Sequence, residues 1–351
     1  MKIAHVINTL SGGGAERVAI EVFKCLKDYG ENEFIVGKNV IKLPIDFKPT
    51  VIMPFEKKPF YMPSFIYEKI LIEKLEEKLK DFEVVISHLR DMNVRLCMLK
   101  SEGKLNSKLI VVEHVTVDYY SKKEINLIKK FYRYADVSVA VSEKVAQNLS
   151  DYGAKNIQII ENFVDVEDLE RKALEEKVNL EGFSFLAAGR LSDDKGFDTL
   201  IKAFKIANIK DSKLFILGEG SKKRELMNLV EKLDLKGKVE FLGFKKNPFP
   251  YIKACDVFVT SSRRESFSMA TLEAMALKKT VISTNVVPFA VDGYNSLVFP
   301  VDNVEALAKN MVKIYKDKNL RETLSENAYQ TAKKYDRQRF CQNYRNLINS
   351  I

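Results

Sequence analysis

Residues 183–197 read Phe-Ser-Phe-Leu-Ala-Ala-Gly-Arg-Leu-Ser-Asp-Asp-Lys-Gly-Phe. The apolar run Phe183–Ala187 has the make-up of a buried strand. Gly189 lets the backbone turn, and the cations Arg190 and Lys195 follow before a helical pattern resumes. A strand, a tight loop and a helix start are the first half of a βαβ unit. An ordinary turn with two solvated cations fits the same residues, and so does a cradle for a diphosphate.

The same alternation extends in both directions. Downstream, strand patterns occur at Leu214–Leu217, Val239–Leu242, Val257–Thr260, Thr280–Ser283 and Leu297–Phe299. Upstream they occur at Ile3–Ile7, Val84–Ser87, Leu109–Val112 and Val137–Val141, with a helix from Ala15 to about Lys27 presenting Val18, Ala19, Val22 and Leu26 on one face. Ser142 is placed to cap the helix after the fourth of these strands. Asp302-Asn303-Val304-Glu305 has the pattern of a capping box that opens a helix toward Lys316. Strands alternating with helices argue for parallel sheets. The expected fold class is therefore α/β, with two Rossmann-like domains whose sheets face a central cleft. The expected boundaries are residues 1–163 for a first domain, 164–181 for a charged linker and 182–330 for a second domain. A terminal helix over 331–351 would return to the first domain.

A chain of 351 residues is long enough for two cores, and 46% hydrophobic with 30% charged residues describes a globular protein. No apolar run nears the roughly 20 residues that span a bilayer, and Lys2 followed by Ile3–Ile7 reads as a first strand, not a secretion signal. The net charge of +9 divides into +3 before Phe163 and +6 after it, without the dense basic composition of a nucleic-acid binder. Cys25, Cys97, Cys255 and Cys341 are scattered, which reads as free thiols in a reducing cytosol. Three unclustered histidines argue against zinc. Asp193-Asp194 lies in a turn and lacks the D-x-D spacing of a metal motif, so no metal or cofactor is expected.

A second stretch bears on chemistry: Ser261-Ser262-Arg263-Arg264-Glu265-Ser266-Phe267-Ser268-Met269-Ala270-Thr271-Leu272-Glu273-Ala274-Met275-Ala276. Ser268 is placed to cap a helix whose first amides face an anion, and Glu273 would stand about one turn inside it. The plainer reading of Glu273 is a solvent-facing residue on an amphipathic helix.

Taken together, Gly189-Arg190-Leu191 with Lys195-Gly196, the E-x7-E of Glu265 and Glu273, and Leu272–Ala276 resemble a retaining glycosyltransferase of family four, also called group one, with the GT-B fold. Asn162-Phe163-Val164-Asp165 and the opening Gly12-Gly13-Gly14-Ala15-Glu16-Arg17 fit the same family. The resemblance implies that Arg190 and Lys195 bind the donor diphosphate and stabilise the leaving group, and that Glu273 holds the ribose. It places Glu265 and His114 beside the donor sugar. Gly189 and the backbone of Ser266, Phe267, Ser268, Met269, Ala270, Thr271 and Leu272 complete the donor pocket, and Gly13 and Gly14 let the opening loop approach the ligands. His5 and His88 receive no role. One segment departs from the family pattern: Ser283–Gly293 is short and lacks a glycine pair.

The implied reaction moves a sugar, a UDP-linked hexose or N-acetylhexosamine, to a glycan or lipid-linked acceptor with retention and without metal. A nucleotide-sugar epimerase and a non-catalytic donor-binding partner are the competing readings. A dehydrogenase is disfavoured, because counting G-x-G-x-x-G from Gly12 ends on Arg17. Such an enzyme is expected in the cytoplasm, peripheral at the inner face of the membrane. Two stretches fit an anionic lipid surface: 57–67, a loop mixing Lys57 and Lys58 with aromatics, and 119–134, an amphipathic helix with Lys122, Lys123, Lys129, Lys130 and Arg133.

Overall fold

The computed structural model describes residues 1–351. They form two compact units, one of Met1–Asn162 with Gln338–Ile351 and one of Phe163–Arg337.

In the first unit β1 (Lys2–Ile7) leads through α1 (Gly14–Cys25) to β2 (Glu31–Lys38) and β3 (Thr50–Met53). There follow α2 (Ser64–Leu79), β4 (Val84–His88), α3 (Arg90–Ser101), β5 (Lys108–Glu113), α4 (Lys122–Phe131), β6 (Val137–Ala140), α5 (Glu143–Asp151) and β7 (Ile157–Ile159). The strands lie in the order β3-β2-β1-β4-β5-β6-β7, and every pair is parallel. Helices cover both faces of such a sheet, which is why its central strands read as unbroken apolar runs. Ile3, Ala4, Val85, Ile86, Ile110 and Val111 are all fully buried.

The second unit repeats the plan. The segment 164–181, expected as a linker, holds α6 (Val166–Ala173), capped by the Asp165 carboxylate on the Asp168 amide. Leu169 and Ala173 are buried, and α6 lies against a later helix of the same unit. Then come β8 (Phe183–Ala188), α7 (Phe197–Ala207), β9 (Ser212–Leu217), α8 (Lys223–Lys232), β10 (Val239–Gly243), α9 (Phe249–Ala254) and β11 (Val257–Thr260). After them follow α10 (Met269–Ala276), β12 (Thr280–Thr284), β13 (Leu297–Phe299), α11 (Val304–Lys316) and α12 (Lys318–Ala332). This sheet runs β10-β9-β8-β11-β12-β13, again all parallel. The final helix, α13 (Arg337–Asn349), belongs to the first unit.

In both sheets the strand order reverses beside the first strand, between β1 and β4 and between β8 and β11. Loops at the carboxyl ends of those strands diverge there and leave a crevice, the usual place for a ligand in an open α/β sheet.

Capping follows the side-chain oxygens, with two departures from expectation. Ser142 accepts from the Val145 amide as expected, whereas at α11 the cap is the Asn303 carboxamide on the Ala306 amide. Ser268 does not cap α10: it adopts left-handed φ and ψ of 75° and 66° with no bond to a helix amide. Its hydroxyl instead pairs with the Thr271 hydroxyl at 2.8 Å.

The cysteines also depart from expectation. Cys97 and Cys255 are free and buried, but Cys25 on α1 and Cys341 on α13 are joined in a disulfide with Cα atoms 5.0 Å apart. They are 316 residues apart in the chain and meet only because α13 returns to the first unit, so no local spacing announces the pair. The Arg345 guanidinium donates to the Cys25 carbonyl, and the Asn349 amide to the Tyr29 hydroxyl, fastening the same helix. A disulfide belongs to an oxidising setting, so these cysteines do not argue for a reducing cytosol. Peptide mapping without reductant is expected to recover one linked species containing Cys25 and Cys341, and Cys341→Ser is expected to cost about 2–4 kcal/mol of stability. Full alkylation of both thiols in unreduced, denatured protein would overturn the linkage.

Candidate active site

The second unit gathers its candidate residues at the β8/β11 switch point. The turn after β8 is built backbone against backbone. The Gly189 amide donates to the Leu217 carbonyl, the Leu191 amide to the Glu219 carbonyl and the Lys222 amide to the Leu191 carbonyl. A side chain at Gly218, where φ is 135°, would overlap the Gly189 carbonyl, and one at Gly220 would overlap the Leu191 carbonyl. Gly218-Glu219-Gly220 is therefore part of the scaffold. The pair of glycines just after a strand is the signal that marks it in the sequence.

Lys195 and Glu265, given separate jobs on the sequence, are partners. Lys195 Nζ lies 2.7 Å from Glu265 Oε1, and the Ser262 hydroxyl donates to that same oxygen at 2.7 Å. Only 24% of the Lys195 side chain and 10% of the Glu265 side chain are exposed. A cavity of about 150 Å³ opens beside them, lined in part by Ser261, Ser262, Ser268, Met269 and Ala270. No side chain caps the start of α10, so its first amides add positive potential at this wall.

Below the pocket the Thr271 hydroxyl bridges Ser268 at 2.8 Å and Thr260 at 2.6 Å, tying α10 to the end of β11. Leu272 is fully buried and Glu273 is half-buried on α10. Ser266 lies in the preceding loop. The Phe267 side chain packs inward against Phe289 and Tyr335, with ring centroids 5.4 and 5.6 Å away. That aromatic cluster explains the short Ser283–Gly293 segment: Phe289 anchors it, and the Asn295 carboxamide donates to the Phe289 carbonyl. Arg190 is exposed at the mouth of β8 and does not line the cavity. No group of three or more His, Cys, Asp or Glu side chains comes together with metal-ligating geometry.

In the first unit the glycine-rich opening is satisfied from within. The Glu16 carboxylate accepts from the Gly12 and Gly13 amides at 2.6 Å each and from the Ser11 amide at 2.8 Å. It also accepts from the Thr9 and Ser11 hydroxyls. Burial works against the charge, but these donors outweigh it and hold Glu16 below the usual carboxylate range. The Gly13 amide is thereby committed to Glu16. Gly14 starts α1 with open space beside it.

His114 follows β5, and its Nε2 lies 3.1 Å from Nδ1 of His88, one ring donating to the other. Burial pushes His114 down to about 4 and His88 well below its ordinary value, the neighbouring His114 and His5 adding to the shift of His88. Both rings are therefore neutral near pH 7 and act as hydrogen-bonding groups, not as cations. His114 Nδ1 and His88 Nε2 have no partner within the chain. Buried Glu113 accepts from the hydroxyls of Tyr120 at 2.9 Å and Tyr132 at 2.7 Å, and from the His114 and Val115 amides. Burial raises its pKa in spite of those donors. Glu113 and His88 are absent from the sequence-derived set because each is an unremarkable residue at a strand end until its neighbours arrive.

The two stretches read as basic and aromatic differ in structure. Phe60, Tyr61 and Phe65 are 97%, 69% and 74% exposed. On α4, by contrast, Ile128 and Phe131 are buried, as is Tyr132 beyond it, and a Ser121–Glu124 capping box opens the helix. Of the aromatic rings of 119–134, Phe131 and Tyr132 therefore serve as core, Tyr119 and Tyr120 are half-buried and Tyr134 is exposed.

Comparison with known proteins adds an independent line. Residues 12–168 match the family described as Glycosyltransferase Family 4, and residues 170–331 match Glycosyl transferases group 1. The chain is 31% identical to the N-acetylgalactosamine-N,N'-diacetylbacillosaminyl-diphospho-undecaprenol 4-alpha-N-acetylgalactosaminyltransferase of Campylobacter jejuni, over 96% of each chain. A second alpha-1,4-N-acetyl-D-galactosaminyltransferase of that organism, whose name also specifies a PP-undecaprenol-linked glycan, is 26% identical over 100% of this chain and 99% of the other. Among solved structures, Anabaena HepE in complex with UDP and glucose aligns over 100% of both chains with a TM-score of 0.82 at 20% identity. Sucrose-phosphate synthase from Thermosynechococcus elongatus aligns over 100% of both chains at 0.84 and 18%. With two successive family matches, a full-length relative above 30% identity and the fold of these neighbours, the chain belongs to the group 1 glycosyltransferases and has the GT-B fold.

Proposed function

We propose that this glycosyltransferase moves a UDP-linked hexose or N-acetylhexosamine to a glycan or lipid-linked acceptor, with retention of configuration and without a metal ion. The observation that carries this reading is the Lys195–Glu265 pair at the switch point, beside the uncapped start of α10. A departing diphosphate gains negative charge, and a half-buried ammonium with helix amides is a ready stabiliser of that charge. The UDP-bound HepE structures and the two undecaprenol-linked N-acetylgalactosaminyltransferases support the donor and acceptor classes.

In this reading Lys195 trades Glu265 for the diphosphate, with Arg190 closing from the rim. Glu265 then faces the sugar, and Glu273 holds the ribose. The backbone from Ser266 to Leu272 lines the pocket, and Gly189 keeps the turn close. His114 offers its unpartnered Nδ1 to a sugar hydroxyl, while Gly13 and Gly14 border the acceptor side.

Incubation with a panel of nucleotide sugars and polyprenyl-diphosphate glycans in excess EDTA tests the proposal. Nucleoside diphosphate and a product that keeps the donor's anomeric configuration by NMR are expected. Lys195→Ala is expected to lower kcat by about 100-fold or more, because its interaction strengthens as the leaving group charges. Glu273→Ala is expected to weaken nucleotide binding instead. An isomerised free sugar, an inverted product or activity that returns only with Mn²⁺ would each contradict a stated part of the proposal.

We further propose that the first unit meets an anionic membrane surface. No helix is long and apolar enough to cross a membrane, but exposed Phe60, Tyr61 and Phe65 lie beside exposed Lys57 and Lys58. This segment joins the carboxyl end of β3 to α2, and exposed Lys122 and Lys123 open α4 after β5, so both leave the same edge of the sheet. Aromatic rings favour the bilayer interface, and each nearby cation adds about 1 kcal/mol. Wild-type protein is expected to float with anionic but not neutral liposomes at low salt. A Phe60→Ser/Tyr61→Ser/Phe65→Ser variant should remain behind, and equal flotation of both proteins would defeat the claim.

A further inference from the structure

The turn that presents Lys195 is a single short 3₁₀ turn, Asp193–Lys195, followed by Gly196 in the left-handed conformation with φ of 60°. The Glu265 carboxylate holds the ammonium itself, and Lys222 pairs with the Asp193 carboxylate. The backbone of the turn is tied from outside it, most extensively by one side chain. Arg263 sits in the loop after β11, and its amide donates to the Asp194 carbonyl at 2.8 Å. Its guanidinium donates from Nη1 to the Asp193 carbonyl at 2.6 Å and from Nη2 to both Asp198 oxygens at 2.9 and 3.0 Å. Nε reaches Asp302 at 2.9 Å. The neighbouring Ser261 hydroxyl donates to the Lys195 carbonyl at 2.9 Å.

Three separate elements therefore converge on one planar group: the turn carrying Lys195, the first turn of α7 through Asp198, and the turn before α11 through Asp302. Asp302 is itself in a left-handed conformation, with φ of 59°, and also accepts from the Thr199 hydroxyl at 2.8 Å. A guanidinium directs donors along three sides of a rigid plane, which an ammonium on a flexible stem does not reproduce. Only one residue separates Arg263 from Glu265, so one loop holds both the carboxylate that pairs with Lys195 and the clamp that sets its backbone.

We propose that Arg263 is a positioning residue for the donor site: it acts through the 193–196 turn to place the Lys195 ammonium where the diphosphate binds. The proposal rests on the reading of Lys195 as a diphosphate ligand. It assigns to Arg263 no contact with the donor, because its donors are committed to Asp193, Asp198 and Asp302. Small displacements matter at such a site, where misplacement by 1 Å costs about 100-fold in rate.

The test is a double-mutant cycle read by UDP titration and by the ³¹P shift of the bound β-phosphorus, without metal. Lys195→Ala is expected to weaken UDP by about ten-fold or more and to move that resonance. Arg263→Lys, which keeps the charge and loses the fork, is expected to weaken UDP by about three- to ten-fold and to move the resonance the same way. In the Lys195→Ala background Arg263→Lys is expected to change neither reading, since the group it acts through is gone. If Arg263→Lys loses the fold by circular dichroism, Asp302→Asn carries the same cycle, with the same outcomes expected. Wild-type protein that fails to bind UDP, or Lys195→Ala that binds it normally, defeats the donor-site reading and this inference with it. Weakened UDP binding by Lys195→Ala, with Arg263→Lys either silent or fully additive, defeats the positioning role alone.

Discussion

A lysine and a glutamate 2.7 Å apart in a half-buried pocket form the contact on which the proposed donor-site chemistry depends. Removing two charges from water is costly, and a partly buried pair contributes little to stability. In the proposed role its value lies in holding an ammonium ready without leaving it unpaired. Ser262 shares the Glu265 oxygen, so in that role the carboxylate keeps a donor when Lys195 turns to an incoming anion. The surrounding parts serve that arrangement. Glycines 218 and 220 allow two loops to touch through their backbones, and the Thr260–Thr271–Ser268 hydroxyl chain ties the start of α10 to β11.

The first unit follows a different logic, built on buried carboxylates that organise loops. Glu16 fills the nest made by the amides of Ser11, Gly12 and Gly13, and so shapes the opening loop before any ligand arrives. Glu113 collects two tyrosine hydroxyls and two amides and so fixes the segment that follows β5. Each replaces water around a buried charge with oriented donors, the condition under which such a charge is tolerated. The paired, neutral rings of His88 and His114 stand on that base, with one nitrogen of each still unmatched.

Much of this was legible in the residues, and the gaps have physical causes. Buried parallel strands such as Phe183–Ala188 and Val257–Thr260 are continuous apolar runs and read plainly. Strand β2 opens with Glu31-Asn32-Glu33, and β7 is three residues long with two of them exposed, so neither shows the pattern of a buried strand. Lys195 was singled out by the strand–loop–helix turn of 189–196, and Glu265 with the start of α10 by a second stretch, 261–276. The Lys195–Glu265 ion pair was not legible, since 70 residues separate the partners. Ser268 looked like a cap by identity, but its left-handed backbone sends the hydroxyl to Thr271. Arg263 carried no reading of its own in the sequence, because Asp198 and Asp302 reach it from two other elements. The Cys25–Cys341 bond likewise required the return of α13.

The central claim is that Lys195 exchanges a carboxylate for a nucleotide's diphosphate at the carboxyl end of β8. A crystal structure of the protein grown with UDP and EDTA tests it most directly. The account predicts a β-phosphate oxygen within hydrogen-bond distance of Lys195 Nζ and of the first amides of α10, with the 2.7 Å contact to Glu265 opened. UDP bound elsewhere, with the Lys195–Glu265 pair intact, would contradict it.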